Sequence, residues 1–282
     1  MDLKITSEKI ANPLLVELLK KLTDSFKRMN REFYVIGATA RDIIIRQLIG
    51  TASGRKTRDL DIAIAIPDWS AFEEIKESLI ADGFTKSTRM HQRFYYDDYE
   101  LDVVPYGVAK EDDNIYWPPE EEIAMSVKGF DEVLSEAITV SIDDEFDIKI
   151  ASLHGLFLLK FNAWLDRNLE TSKDAEDISF ILSNYFMANL NRNVHTEVYD
   201  WERFDEYIVG GYWIAHDLLL LLNKEQITYY KDCIEKELAK GDESRLVNQI
   251  IEHSYGLTYE TVRDAWQTIA DVFQKAIDDE SI

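Results

Sequence analysis

The run Asp59-Leu60-Asp61-Ile62-Ala63-Ile64-Ala65-Ile66-Pro67 alternates with a period of two. Leu60, Ile62, Ile64 and Ile66 share one face of an extended strand, and Asp59, Asp61, Ala63 and Ala65 share the other. This predicts a strand over residues 59–66, ended by Pro67. Just upstream, residues 33–36 read as a short apolar strand that stops at Gly37. A helix follows over residues 40–48, and the polar stretch 51–57, rich in small and basic residues, reads as a loop. Earlier still, Leu14, Leu15, Leu18, Leu19 and Leu22 have the spacing of one buried face of a helix over residues 10–29. Downstream, Phe72, Ile75 and Leu79 mark a helix that Asp68 or Ser70 can cap. Residues 92–96 and 99–104 then read as a hairpin across Asp97 and Asp98, and one or two further strands fit between 137 and 150.

Near residue 150 the pattern changes. Segments 153–164, 175–185, 212–222, 227–238 and 258–277 all suit helices, and Gly210-Gly211 reads as a turn before the third of these. The expected class is therefore α+β: a mixed sheet flanked by helices over residues 1–150, then a mostly helical domain over 151–282, with the site facing the cleft between them. With 282 residues, 46% hydrophobic and 12% aromatic, the chain can bury a substantial core. No run of about 18 apolar residues occurs, so no transmembrane helix is expected. Residues 1–9 are too polar for a secretory signal. Cys233 is the only cysteine, which excludes an intrachain disulfide and fits a reducing compartment, so a cytoplasmic location is expected. Lys and Arg number 31 against 54 Asp and Glu, a formal net charge of −23. That balance opposes stable non-specific binding to nucleic acid by phosphate neutralisation. It suits a basic partner.

Asp59 and Asp61 are the first candidates for chemistry. Two unit charges about 4 Å apart repel by roughly 4 kcal/mol at an effective dielectric near 20, and a divalent cation removes that cost. Magnesium suits the pair, because it takes one or two carboxylates and fills its shell with water and substrate phosphates. Two such ions can clamp the attacking and leaving oxygens of an in-line phosphoryl displacement. The alternative is a solvated pair at a strand start. Asp102, mid-strand in Leu101-Asp102-Val103-Val104, is a charge that needs a partner. It either joins Asp59 and Asp61 in a three-carboxylate cradle or is an edge-strand carboxylate paired with a basic residue such as Arg93. Strand, then Gly37-Ala38-Thr39-Ala40, then helix is a geometry that can hold an anion on free backbone N–H groups. Arg41 sits in the first helical turn against the helix dipole, which a bound phosphate or a carboxylate such as Asp42 would explain.

The runs Tyr34-Val35-Ile36-Gly37-Ala38-Thr39-Ala40-Arg41-Asp42, Thr57-Arg58-Asp59-Leu60-Asp61-Ile62-Ala63 and Leu101-Asp102-Val103-Val104-Pro105 resemble the DNA polymerase β-type nucleotidyltransferase superfamily. They are similar to tRNA CCA-adding enzymes and more closely to AbiEii-type nucleotidyltransferases, which include toxins of type IV toxin–antitoxin systems. Leu159-Lys160-Phe161-Asn162-Ala163-Trp164-Leu165-Asp166-Arg167 and Lys173-Asp174-Ala175-Glu176-Asp177-Ile178 extend the AbiEii resemblance into the helical half. The resemblance implies transfer of a nucleotidyl group from an NTP to an acceptor hydroxyl, with pyrophosphate released. Asp59, Asp61 and Asp102 would hold Mg²⁺ or Mn²⁺, and Asp102 would activate the acceptor. Gly37, Ala38, Thr39, Arg41 and Arg58 would lie along the nucleotide, Lys160 would approach the phosphates, and Lys173 or Asp174 would shape the nucleotide or acceptor pocket. A tRNA end is a candidate acceptor and a cognate antitoxin a candidate partner.

Read from the residues alone, Lys160 is a cation on an apolar helix, open to snorkelling or to a phosphate role. Asp174 and Asp177 share a helical face and could be N-terminal dipole partners. One departure stands out: where the superfamily has Gly-Ser or Gly-Gly, this chain has Gly37-Ala38 and lacks the serine hydroxyl. Two rivals follow. One is a small-molecule, aminoglycoside-like nucleotidyltransferase, favoured by the acidic surface; the other is a non-catalytic nucleotide-binding relative. The five histidines have no local ligand spacing, so no zinc site is expected. Trp117-Pro118-Pro119 reads as a stiff loop, and Tyr212, Trp213, Tyr229 and Tyr230 read as core.

Overall fold

The computed structural model describes residues 2–10, 12–51, 58–107, 113–118 and 124–279, and the chain divides into two compact units, Met1–Ser152 and Leu153–Ile282. The first unit runs β1 (Asp2–Ile5), α1 (Pro13–Arg28), β2 (Tyr34–Ile36), α2 (Gly37–Ile49), β3 (Asp59–Ile66), α3 (Trp69–Ala81), β4 (Thr85–Lys86), β5 (Arg93–Tyr96), β6 (Tyr99–Gly107), β7 (Asn114–Tyr116), β8 (Ala124–Ser126), α4 (Phe130–Ser135), β9 (Ile138–Ile142) and β10 (Phe146–Ile150). The second unit contains α5 (Leu153–Arg167), α6 (Lys173–Ala188), α7 (Glu206–Leu218), α8 (Lys224–Leu238), α9 (Arg245–Glu252) and α10 (Tyr259–Asp278). The α+β class holds, with strands confined to the first unit among the described residues. The loop expected over 51–57 lies, beyond Thr51, outside the described residues, and so does Pro119. Trp117 is buried and packs on Trp69, Phe72 and His91.

Eight strands form one mixed sheet in the order β1-β9-β10-β2-β3-β6-β5-β4, and β7 pairs with β8 separately. The apolar face of β3 drives this arrangement: Leu60, Ile62, Ile64 and Ile66 are each at most 2% exposed. Helix α1 contributes Leu18, Leu19, Leu22 and Phe26 to the same unit's core. Its start is fixed by the Asn12 side chain, which accepts from Leu14 N–H, and by Pro13 in the first turn. Asp68 rather than Ser70 caps α3, accepting from Ala71 N–H at 3.0 Å, while Ser70 donates to Asp68.

In the helical unit the reading of Gly210-Gly211 as a turn is corrected. Asp205 caps α7 by accepting from Tyr207 and Ile208 N–H, so the helix starts at Glu206 and both glycines lie inside it. They are there because other backbones come close. A Cβ on Gly210 would lie 2.6 Å from the Leu182 carbonyl oxygen of α6, and one on Gly211 would lie 3.0 Å from that of Ala265 in α10. Gly210→Ala should therefore cost about 1–3 kcal/mol through overpacking, measured as a lower urea midpoint with unchanged slope. Helix α9, absent from the expected elements, is capped by Ser244 and buries Leu246, Val247 and Ile250. Of the aromatic group read as core, Trp213 and Tyr230 are buried, but Tyr229 is 40% exposed. Among the described residues, no helix is long and apolar enough to cross a membrane.

Candidate active site

The site begins with strand register. β3 and β6 pair in parallel, with Asp59 opposite Glu100, Asp61 opposite Asp102 and Ala63 opposite Val104. Residues paired this way on neighbouring strands, about 4.8 Å apart, point to the same side of the sheet. One face therefore carries Asp59, Asp61, Glu100 and Asp102 side by side, while Leu60, Leu101, Ile62 and Val103 go to the buried face. Asp59 is exposed, and Asp61 and Asp102 are half-buried. Arg58 N–H donates to Asp59 Oδ1 at 3.0 Å, and the exposed Arg58 guanidinium lies 3.5 Å from Asp98.

Asp102 has the basic partner considered above, but it is not on an edge strand. β6 lies between β3 and β5, and Arg93 of β5 stands opposite Asp102. The guanidinium donates to both carboxylate oxygens, Nε to Oδ1 at 2.8 Å and Nη2 to Oδ2 at 2.7 Å, and its Nη1 lies 2.5 Å from Glu100. The hydrogen bond it donates to Asp102 raises the Arg93 pKa further above its already high ordinary value. This bidentate grip fixes the plane of the Asp102 carboxylate. Asp59 and Asp61 lie beside this pair on the same face, and such crowding of carboxylates attracts a cation. Glu100 was not among the expected site residues. The alternation over 99–104, which puts positions 100 and 102 on one face, could have found it.

Gly37 is where the backbone meets these acids. Helix α2 opens at Gly37, not at residue 40, and its φ is +70°. A Cβ there would overlap Asp61 Oδ2 and lie 3.0 Å from Asp61 Cγ. Only glycine allows both the left-handed backbone and the close approach. Gly37→Ala should destabilise the protein by about 1–3 kcal/mol, combining the left-handed penalty with overpacking. In a double-mutant cycle with Asp61→Ala, the steric part should appear as a coupling of about 0.5 kcal/mol or more. Additive effects would break the link between the two residues.

Ala38 and Thr39 are buried in the first turn of α2. Thr39 Oγ1 donates to the Asp59 carbonyl oxygen at 2.9 Å, so this hydroxyl ties the helix to the start of β3. Arg41 is 4% exposed and donates to Asp42 Oδ1 from Nε at 2.9 Å and Nη2 at 2.7 Å. The neighbouring carboxylate thus offsets the cation's unfavourable position near the helix N-terminus.

In the helical unit, Lys160 of α5 is 2.7 Å from Asp177 and 3.3 Å from Asp174 of α6. Arg167 holds Asp174 at both oxygens, at 2.7 and 2.9 Å. Asp174 and Asp177 are at most 2% exposed. They are buried anions clamped by cations from the neighbouring helix, beyond any role as dipole partners, and Lys160 bridges them instead of snorkelling to water. Lys173, at the start of α6, is exposed.

A family model described as "Nucleotidyl transferase AbiEii toxin, Type IV TA system" matches residues 20–281. No curated protein matches the chain. Among solved structures, the chain is similar to the crystal structure of ANT(2″)-Ia in complex with adenylyl-2″-tobramycin, at 14% identity and a TM-score of 0.39, covering 63% of this chain and 89% of that one. It is also similar to the solution structure of the antibiotic-resistance factor ANT(2″)-Ia, at 14% identity and a TM-score of 0.36, covering 63% and 84%.

Proposed function

The chain belongs to the AbiEii nucleotidyltransferase toxin family, and from that premise we propose that Asp59, Asp61 and Asp102 form its metal-dependent transfer centre. The observation that carries this reading is the register of Asp61 against Asp102 on the face that also bears Asp59. The donor set fits a hard cation: oxygen ligands only, crowded negative charge, and an N-terminal helical turn at Gly37 within contact of Asp61. Magnesium or manganese held there would neutralise the triphosphate and the oxygens on either side of the reacting phosphorus.

The chain's own residues do the rest. The N–H groups at Gly37 and Ala38 and the exposed Arg58 guanidinium are assigned to the triphosphate oxygens, and Thr39 holds the Asp59 backbone in place. The acceptor hydroxyl oxygen bonds to the α-phosphorus while the bond from that phosphorus to the bridging oxygen breaks, and pyrophosphate departs with the electron pair. The hydroxyl proton passes to Asp102, whose plane Arg93 fixes. Incubation with NTPs labelled at the α-phosphate tests the reading: label should appear on an acceptor with wild type and not with Asp59→Asn. Label transfer that survives Asp59→Asn and Asp61→Asn alike would overturn it.

Arg93 is a positioning residue in this scheme. Arg93→Met should lower kcat about 10–100-fold, the usual cost of losing an orienting partner, with the NTP KM nearly unchanged. Lys at 93 should restore little, because it lacks the bidentate fork. A fall in thermal stability with unaltered kcat would make the pair purely structural.

For the acceptor, a formal charge of −23 favours a cationic small molecule, whereas the resemblance to toxin nucleotidyltransferases makes a tRNA end the other candidate. Parallel assays with tRNA and an aminoglycoside separate these. The family description supports a cognate antitoxin, and the acidic surface suits one that is basic.

A further inference from the structure

In the helical unit, residues 189–205 join α6 to α7. Apart from the short 3-10 turn Thr196–Asp200, this connection has no regular structure. It exceeds the roughly 12–15 residues beyond which such segments usually carry a function. Four of its large apolar side chains, Leu190, Val194, Tyr199 and Phe204, are between 43% and 52% exposed. Exposed carboxylates stand among them at Asp200 and Glu202, and Glu206 follows in the first turn of α7. Over residues 196–206 five acids accompany a single cation, Arg203. We propose that this face docks a short basic segment of a partner protein, one that carries Arg or Lys beside apolar side chains.

The two rings are exposed yet held in place. Tyr199 and Phe204 stack within 11° of parallel with centroids 6.1 Å apart. Phe186 of α6 packs on both, at 6.4 Å from Tyr199 and 5.3 Å from Phe204. Val198 is fully buried, and Trp213 Nε1 donates to the His195 carbonyl at 2.9 Å, which ties the connection to α7. A surface already ordered in the free chain loses little further entropy when a partner binds. The same aromatic cluster already takes a cation. The largely buried Arg192 guanidinium lies 5.3 Å from the ring centre of Trp213, which stacks on Phe186. A partner's Arg over the outer faces of Tyr199 and Phe204 would repeat that contact.

Charge selects the occupant. If the face paired with itself in a second copy, Asp200, Glu202 and Glu206 would meet their own equivalents, and like charges set against each other oppose association. A phosphate backbone meets the same repulsion. The patch is also small beside the roughly 20–30 residues a side of a stable interface between folded proteins, which suits a short segment. Apolar side chains of that segment would cover Leu190 and Val194, and its cations would pair with the acids. The proposal rests on the basic partner inferred above and on nothing in the aspartate centre.

The test uses the full chain and two fluorescent synthetic peptides of equal charge, one alternating Arg with Leu and the other Arg with Ser, read by anisotropy. The Arg/Leu peptide should bind and the Arg/Ser peptide should bind at least about tenfold more weakly, since apolar anchors carry most of an interface's energy. Replacing both Tyr199→Ser and Phe204→Ser should weaken the Arg/Leu peptide by a similar factor of about ten. Asp200→Asn, Glu202→Gln and Glu206→Gln together should weaken it and flatten its salt dependence. Label transfer by the Tyr199/Phe204 variant and peptide binding by Asp59→Asn should both match wild type, which separates this face from the transfer centre. No binding, equal binding of the two peptides, or full binding by the Tyr199/Phe204 variant would overturn the proposal. So would a wild-type dimer in sedimentation that the same variant converts to monomer, because a second copy would then be the occupant. If that variant does not fold, the charge variant and the peptide pair decide.

Discussion

Asp61→Asn should reduce nucleotidyl transfer by roughly 10³-fold, the upper range for loss of one charge-stabilising group, while the protein stays folded. Asparagine keeps the shape that packs against Gly37 and removes only the charge. Asp61 faces Asp102 and lies beside Asp59 and Glu100 on one side of the sheet, so asparagine removes one of four neighbouring anions while keeping a side chain of the same size there. Wild type should gain stability on adding Mg²⁺ by mass action, and Asp61→Asn should gain little. Retained transfer, or an undiminished Mg²⁺ response, would remove Asp61 from the metal centre. A collapse in midpoint would instead show that asparagine cannot fill the space beside Gly37.

Lys160→Met should destabilise the helical unit by about 3–5 kcal/mol, the usual cost of removing one partner from buried ions. Asp177 would lose its 2.7 Å cation, and Asp174 would keep only Arg167, whose side chain is half exposed. Urea unfolding should show the loss. Combining Lys160→Met with Asp174→Asn and Asp177→Asn should restore most of it, because a wholly neutral replacement of a buried ion group is often close to neutral in stability. The combined variant also separates the two roles of Lys160. NTP binding that survives in it makes the lysine structural, whereas restored stability with lost NTP affinity gives it the phosphate role. If Lys160→Met is as stable as wild type, the clamp contributes nothing and the ion pairs are incidental.

Much of the first unit was legible because local rules and tertiary packing agree there. The period of two in residues 59–66 survives unchanged as β3, the turn at Asp97 and Asp98 joins β5 to β6, and Asp68 caps α3. Asp59 and Asp61 share a face by strand geometry alone. What parity could not supply was the neighbour: pairing Asp61 with Asp102 depends on a parallel register between distant segments, which no local pattern encodes. The same limit hid the partners of Lys160, since periodicity sees a cation on an apolar helix but not the two carboxylates of the helix beside it. Gly210-Gly211 misled for a related reason. Glycine pairs usually mark turns, but here the missing side chains make room for the carbonyls of Leu182 and Ala265.

The alternation in β3 also limits how this strand can change. A substitution alters one position on one face, but inserting or deleting a single residue between Asp59 and Ile66 inverts every side chain beyond it. Leucine and isoleucine would then face solvent where acids stand now, and aspartate would enter the oily interior. Among natural variants and engineered libraries, length changes at this point should be absent or come in twos, whereas the tips of the connecting turns tolerate them singly. The strand works like a two-letter reading frame, and stability and chemistry are written in the same letters.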